Sequence, residues 1–411
     1  MATHAALILR ASGGAMHHGD LAVARTLGRL GVPVYAVVAD GLAPIAASRY
    51  ATKSFIWKSW PRNQTGFLEA MSAIAASIGR PAIVFPMDDL SSILAAESGA
   101  ELARSFVLPQ VRPGLPRQLA DKMLLNSLCL KVGIPVACSV VPHSMNDVFA
   151  FAKTSKFPVV LKAAQQWALL DGRFSTKIVA TSDELIAFYK KLKDVSQPPS
   201  ILQEYFDGED WISHGYYNSA KRIHMTFTGR KLLGYPAAAG STAVGLSVPN
   251  ETLRRQTENL LDEISYSGIV DIDWRRDGRD GQYRILDCNP RIGQNFRMFE
   301  STTGVDVVRA QYLDLTGQSI GDTSMVAGRS FTVETFCFLA FLRGSSSTSP
   351  AGGVMKSPGP RRELAWWSRD DPLPFFVMGA RFPFTLLRRA FRRFVARFTS
   401  IRRKPSGQSA N

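Results

Sequence analysis

Gly268-Ile-Val-Asp-Ile-Asp-Trp274, a short turn, and Ile285-Leu-Asp-Cys-Asn-Pro-Arg291 form the stretch whose reading decides the fold. Two strand-like runs are separated by Asp277-Gly278 and Asp280-Gly281, which are strong turn signals, so the stretch predicts an antiparallel hairpin. Side chains alternate along a strand. Asp287 and Asn289 therefore share one face and Cys288 points away, while the hairpin brings Asp273 back near Asp287. Two carboxylates and an amide oxygen converge, with Arg291 just beyond. Hard oxygen donors of this kind suit Mg²⁺, which takes one or two carboxylates and leaves its other positions to water and phosphate oxygens.

Outward from the hairpin, the chain has 411 residues and 45% hydrophobic content, enough to bury a large core divided among two or three domains. No run approaches the length of a membrane-spanning helix. The opening Met1-Ala-Thr-His-Ala-Ala-Leu-Ile-Leu-Arg10 lacks a basic leader and reads as a first β-strand. Cys129, Cys138, Cys288 and Cys337 are far apart and lack CxxC spacing, which argues against a disulfide framework or zinc site and for a cytoplasmic protein. The net charge of +15 is concentrated in the tail. Nine arginines and lysines lie between Arg381 and Lys404 with no acid among them, so the body is only mildly basic.

The first third alternates strand and helix: a strand at 5–10, a Gly13-Gly14 turn, a helix over 20–30 and a strand at 32–38. Helices near 64–78 and 89–103 then flank a strand at 82–85. This predicts an open, mostly parallel sheet of about four strands in a domain covering 1–115. The turn is not G-x-G-x-x-G and no Walker A sequence occurs, which argues against a nicotinamide cofactor there. A helix over 119–132 ends in Gly133-Ile-Pro135, a capping glycine followed by a proline stop. Residues 344–362 are rich in Ser, Gly and Pro and read as a flexible connector within an extension covering 321–378.

Several positions carry chemistry. Lys162 closes the strand Pro158-Val-Val-Leu-Lys-Ala163 and Lys122 opens a helix after the connector, so both can reach a cleft and meet phosphate as point charges. Ile201-Leu-Gln-Glu-Tyr-Phe206 breaks into the acidic turn Asp207-Gly-Glu-Asp210. Such a hinge can present backbone groups and an amide to an adenine edge, with an acid for ribose hydroxyls. The small-residue loop 236–245, preceded by Arg230-Lys231, lets backbone N–H groups approach phosphates closely. His17, His18 and Asp20 at the first strand–helix junction, and His214, are further candidates for a substrate contact.

Taken in order, Asp121-Lys122, Gly133-Ile-Pro135, Pro158-Val-Val-Leu-Lys162, Leu202-Gln-Glu-Tyr-x-x-Gly208-x-Asp210, the glycine-containing loop, Ile272-Asp273 and Asp287-x-Asn289-Pro-Arg291 resemble the ATP-grasp superfamily. Within it the chain looks most like the carboxylate–amine ligase group that includes D-aspartate ligase-like proteins. Ser48-Arg-Tyr50, Arg230-Lys-x-x-x-Tyr-Pro236 and Ser267-Gly268 are further echoes of that group. The resemblance implies an α/β and α+β architecture. A Rossmann-like parallel-sheet domain is followed by an ATP-grasp domain over 116–320, which comprises a small lid (135–205) and an antiparallel-sheet subdomain (206–320). It implies an ADP-forming ligase that activates a carboxylate as an acyl phosphate and joins it to an amine. Lys122 and Lys162 would sit on ATP phosphates, Gln203, Glu204 and Phe206 on adenine, Asp210 on ribose and Arg230 beside the nucleotide. Asp273, Asp287 and Asn289 would hold Mg²⁺ or Mn²⁺, and Arg291 with Lys162 would serve the transferring phosphoryl group. The family usually carries Glu where this chain has Asp287, and the D-alanine ligase branch has a basic residue where this chain has Asp271. A nucleotide binder of the same fold that has lost its chemistry stays open beside the ligase.

Residues 379–411 form a basic amphipathic segment, with Phe384, Leu387, Phe391, Phe394, Phe398 and Ile401 at alternating three- and four-residue spacing. Over 383–404 three readings compete: docking on the protein's own body, lying on an anionic membrane at its inner face, and, least favoured because phosphate contacts do not need six large apolar residues, binding nucleic acid. Small-molecule carboxylates and amines are the expected partners. The sequence carries no signal of oligomeric state.

Overall fold

The computed structural model describes residues 4–11, 16–57, 64–169, 176–193, 199–236, 240–342, 362–385 and 387. The Gly13-Gly14 turn, the middle of the small-residue loop, the 344–362 connector apart from Arg362 and most of the basic tail lie outside those residues.

The N-terminal layer runs β1 (Ala5–Leu9), α1 (His18–Gly28), β2 (Val34–Val38), β3 (Ala51–Ile56), α2 (Gln64–Ile78), β4 (Ala82–Pro86), α3 (Asp89–Glu97), α4 (Gly99–Leu102) and β5 (Phe106–Val107). Its sheet is parallel with order β3-β2-β1-β4-β5, five strands where about four were expected. β1 and β4 are buried nearly throughout, and their uninterrupted apolar runs make them legible in sequence. The missed β3, Ala-Thr-Lys-Ser-Phe-Ile, is an edge strand with no fully buried residue, and β5 is two residues long. Neither carries a periodic apolar signal.

The expected helix over 119–132 is two helices, α5 (Leu115–Ala120) and α6 (Lys122–Lys131), broken at Asp121. Asp121 caps α6 by accepting from the N–H groups of Met123 and Leu124. The break sets Lys122 on the first turn, facing the lid, and its own N–H bonds Ala164 O across the gap.

The lid consists of β6 (Ser139–Val140), α7 (Met145–Thr154), β7 (Val159–Ala163), β8 (Thr176–Val179), α8 (Ser182–Lys193) and β9 (Ser200–Glu204). Its antiparallel sheet has order β6-β9-β7-β8, and α7 and α8 bury Val148, Phe151, Leu185 and Tyr189 against one face. The lid joins the last layer through a hinge over Glu204–Gly208.

That layer contains β10 (Gly208–Asn218), β11 (Ile223–Tyr235), β12 (Ser241–Ser247), α9 (Glu251–Glu263), β13 (Ser267–Asp277), β14 (Tyr283–Asn289), α10 (Val307–Leu315), β15 (Ser330–Thr332), α11 (Glu334–Leu342), β16 (Arg362–Leu364) and α12 (373–385). Seven strands pair in the order β14-β13-β10-β11-β12-β15-β16. Residues after 320 are thus part of this layer, because β15 pairs with β12 and β16 with β15. A boundary at 320 cuts through one hydrogen-bonded sheet. One face of the sheet buries Trp274, Ile272, Val270 and Cys288 together with Leu253, Leu260 and Leu261 of α9. Across much of the other, Ile212, Tyr216, Met225 and Phe227 share a continuous core with β1, α1 and α10.

Candidate functional site

The β13–β14 hairpin pairs Asp273 with Asp287 and Asp271 with Asn289. Directly opposed residues of an antiparallel pair stand about 4.5–5.5 Å apart at Cα, so the two carboxylates are neighbours by register. One irregularity makes this work. Trp274 pairs with Ile285 and Asp273 with Asp287, so Leu286 is an extra residue, a β-bulge. Without it Ile285 and Asp287 would share a face. With it Ile285 lies in the core and Asp287 faces a cavity of about 360 Å³ between lid and sheet.

Beside Asp271, Asp273, Asp287 and Asn289, that cavity is lined by Lys122, Lys162, Gln203, Glu204, Tyr205, Phe206, Asp210, Lys231, Arg275 and Arg291. Lys122 Nζ is 2.7 Å from Asp287 Oδ1 and Lys231 Nζ is 2.7 Å from Asp273 Oδ1. Arg291 Nη2 donates to Asn289 Oδ1 at 3.0 Å, Nη1 lies 3.4 Å from Asp271 Oδ2, and Nε lies 3.3 Å from Asp89 Oδ1. Asp271 is in turn 2.7 Å from His214 Nε2. Burial opposes ionisation of Asp271, but His214, Arg291 and Lys231 together hold its carboxyl down at about 2. Burial pushes Asp273 above the usual carboxylate range despite Lys231. Burial, reinforced by the charge of Lys122, lowers the Lys162 ammonium to about 8.

The hinge holds its side chains through local bonds. Gln203 donates to Ser139 Oγ at 3.0 Å, and Glu204 accepts from Cys138 N at 3.0 Å and from Arg279 Nη1 at 3.0 Å. Phe206 is buried beneath Arg279 and Arg284, whose guanidinium carbons stand 5.4 and 5.7 Å from the ring centre. Arg275 of β13 ties Asp210 Oδ1 at 2.7 Å, its directly paired residue on β10.

Arg230 does not face the cavity. It pairs with Trp211 across β10–β11, stacks on that ring at 5.7 Å and donates to Glu209 at 2.7 Å. Alternation puts Lys231 on the cavity side instead. Of the Arg230-Lys231 pair, the member expected beside the nucleotide thus lies off the cavity wall and its neighbour on it, a distinction carried by the parity of Asp210 on the neighbouring strand. Arg275, on the same face of β13 as Asp271 and Asp273, was missed though alternation alone exposes it. Thr242, Gln294 and Asn295 also line the cavity, and no local pattern announces them.

Of the junction residues, His17 caps α1, receiving the N–H of Asp20 at 3.3 Å, and Asp20 sits in a buried pair with Arg10 at 2.9 Å. Only His18 reaches the cavity wall. Burial and the neighbouring His17 lower its pKa to about 3, so its ring is neutral, and its Nδ1 is buried without a hydrogen-bond partner. His214 stands behind Asp271.

Among the described residues no three His, Cys, Asp or Glu side chains form a ready metal cage. The ribbon's two carboxylates and amide oxygen nonetheless fit Mg²⁺ with water and phosphate completing the shell. Each carboxylate is already paired with a lysine ammonium, which marks both as positions that favour a cation.

A lid sheet closed over an antiparallel sheet, with a parallel-sheet domain behind, is the ATP-grasp fold. Solved structures of that fold superpose on it. They include N5-carboxyaminoimidazole synthetase from Staphylococcus aureus (TM-score 0.59, 12% identity, 79% of this chain and 80% of that one). They also include L-amino acid ligase from Bacillus licheniformis (TM-score 0.58, 13% identity, 77% and 75%). In sequence, the family described as carbamoyl-phosphate synthase L chain, ATP binding domain matches residues 246–319. D-aspartate ligase from Enterococcus faecium (strain Aus0004) is 23% identical over 291 residues, 67% of this chain and 68% of that enzyme. The carbamoyl phosphate synthase large chain of Thermomicrobium roseum is 23% identical over 202 residues, 47% of this chain and only 18% of its own length.

Proposed function

We propose that the chain is an ATP-dependent, ADP-forming ligase that joins a carboxylate to an amine. The observation that carries this is the single cavity in which Lys122, Lys162, Lys231 and Arg291 face the Asp273–Asp287–Asn289 ribbon below the Gln203–Phe206 hinge. Phosphoryl transfer asks a protein for positioning and charge neutralisation rather than for a nucleophile of its own. This cavity supplies cations and metal-type oxygens, and the described site contains no Ser-His-Asp or Cys-His arrangement.

In this reading the hinge takes the adenine, Asp210 the ribose, and Lys122 and Lys162 the phosphates. Asp273, Asp287 and Asn289 hold Mg²⁺, which when bound neutralises phosphate charge. Mn²⁺ would suit the same oxygens. A substrate carboxylate oxygen attacks the γ-phosphorus as the bond to the β-phosphate oxygen breaks, giving an acyl phosphate and ADP. The amine nitrogen then attacks the acyl carbon and phosphate leaves with the former carboxylate oxygen, the nitrogen losing a proton. Arg291 stands where charge grows on both the phosphoryl group and the acyl oxygen. The carboxylate substrate sits at the His18, Thr242 and Asn295 end, where the N-terminal domain meets the antiparallel sheet.

The test is ADP release with Mg-ATP and pooled carboxylates and amines. The ligase reading expects ADP formation that requires members of both pools. Thermal stabilisation by Mg-ATP without turnover would instead identify a nucleotide binder that has lost its chemistry.

A further inference from the structure

α12 begins ten residues before the amphipathic stretch that the sequence marks, because Asp371-Pro-Leu-Pro374 places prolines at and before its first turn. Its two faces differ. Met378 and Phe382 turn inward, Phe382 meeting Phe338 of α11 at 6.1 Å between ring centres, and Arg381 pins the helix to Asp40 at 2.6 Å. The outward face carries Leu373, Phe376, Ala380, Phe384 and Leu387 at three- and four-residue spacing. Phe384 is 74% exposed and Leu387 67% exposed. Beside them, at the end of α11, Phe341 is 81% exposed and Leu342 is exposed too.

The spacing then continues in the sequence through Phe391, Phe394, Phe398 and Ile401, among eight arginines and lysines from Arg388 to Lys404 with no acid. Self-docking would need this stripe to face the protein where it begins. In the described part it faces away, and the opposite face is the one that packs. Nucleic-acid phosphates would be met by the arginines alone and leave the aromatic stripe in water. A surface that takes large apolar side chains and arginines together is the interface of an anionic bilayer.

We propose that this face of α11 and α12, with the basic residues that follow, is a docking surface for an anionic lipid membrane. The extension is fixed to the N-terminal domain by Asp371, which receives Arg25 Nε at 3.0 Å and Ser48 Oγ at 2.8 Å, so docking would hold the catalytic body at the membrane. Tyr235, which follows the cavity-lining Gly234, stacks on Phe336 of α11 at 5.9 Å.

Co-sedimentation of the full chain with mixed phosphatidylcholine–phosphatidylglycerol vesicles, against phosphatidylcholine alone, tests this. The expected result is binding about tenfold or more stronger to the anionic vesicles, weakened by salt. Phe384→Glu/Leu387→Glu should abolish it while leaving the melting temperature and ATP turnover unchanged, since both side chains are exposed and neither lines the cavity. A wild-type chain that stays in the supernatant overturns the proposal. So does a double variant that sediments like the wild type, the outcome expected if the arginines alone contact phosphate.

Discussion

Arg291 is held by two acids, Asp89 at 3.3 Å and Asp271 at 3.4 Å, and by the amide oxygen of Asn289 at 3.0 Å. Burial opposes its charge, but Asp89, Asp271 and Asp287 raise its pKa, so it is a fixed cation beside the ribbon. A donor directed at developing charge is worth about 2.7–4 kcal/mol, so Arg291→Ala should cut turnover about 100- to 1000-fold while nucleotide affinity changes little. Normal turnover in that variant would remove Arg291 from the chemistry. Lys162 predicts a pH effect. Its ammonium form is the one that meets a phosphate, and before nucleotide binds it loses its proton near pH 8. Binding above that pH must take up a proton, so Mg-ATP affinity should fall by up to about tenfold per unit as pH rises past it. Affinity that is equal on both sides of that pH would take Lys162 off the phosphates. At this scale Lys122, Lys162, Asp273, Asp287 and Asn289 were legible because strand ends, a cap and a hairpin have local signatures. Lys231 was not, because the choice between it and Arg230 depends on register with a neighbouring strand.

The ribbon works because of features that alternate patterns hide. The bulge at Leu286 lets Ile285 fill the core while Asp287 turns to the cavity, and no turn residue or proline marks it in the sequence. Just past the ribbon, Gly293 lies against the His214–Asp271 pair. A Cβ there would stand 2.2 Å from His214 Cε1 and 2.6 Å from Asp271 Oδ2. Gly293→Ala must displace the pair that orients Arg291, so it should cost about 1–3 kcal/mol of stability and lower turnover as well. Urea denaturation together with steady-state rates checks this, and a variant with wild-type midpoint and rate would show that the neighbours yield freely. The helix expected near 64–78 coincides with α2. The edge strands β3, β5 and β16, and the three-residue β15 inside β16, were missed because short or half-exposed segments draw their stability from a partner strand rather than from their own composition.

Across the whole molecule, the stretch after 320 completes the third layer and then straps the first. Arg25 is buried between Asp371 and the carbonyl of Trp366, which it reaches at 2.8 Å. Removing one member of a buried pair leaves an uncompensated charge, so Asp371→Ala should reduce unfolding free energy by about 3–5 kcal/mol. A loss below about 1 kcal/mol would mean water replaces the carboxylate. No sequence signal connected Asp371 with Arg25, because a contact across more than three hundred positions is a property of the assembled layers. The order of motifs, by contrast, announced the architecture, since each motif sits at a junction between layers and the layers follow one another along the chain.

The central claim is that a carboxylate oxygen receives the γ-phosphoryl group in the Lys122–Asp287 cavity. Turnover of Mg-ATP with a pool of amines and a pool of ¹⁸O-labelled carboxylates, followed by mass analysis of the released phosphate, reads that bond directly. Each phosphate should carry one ¹⁸O, the former carboxylate oxygen that leaves with it when the amine attacks the acyl phosphate. Phosphate free of ¹⁸O, its fourth oxygen taken from water, would mean that no carboxylate receives the phosphoryl group.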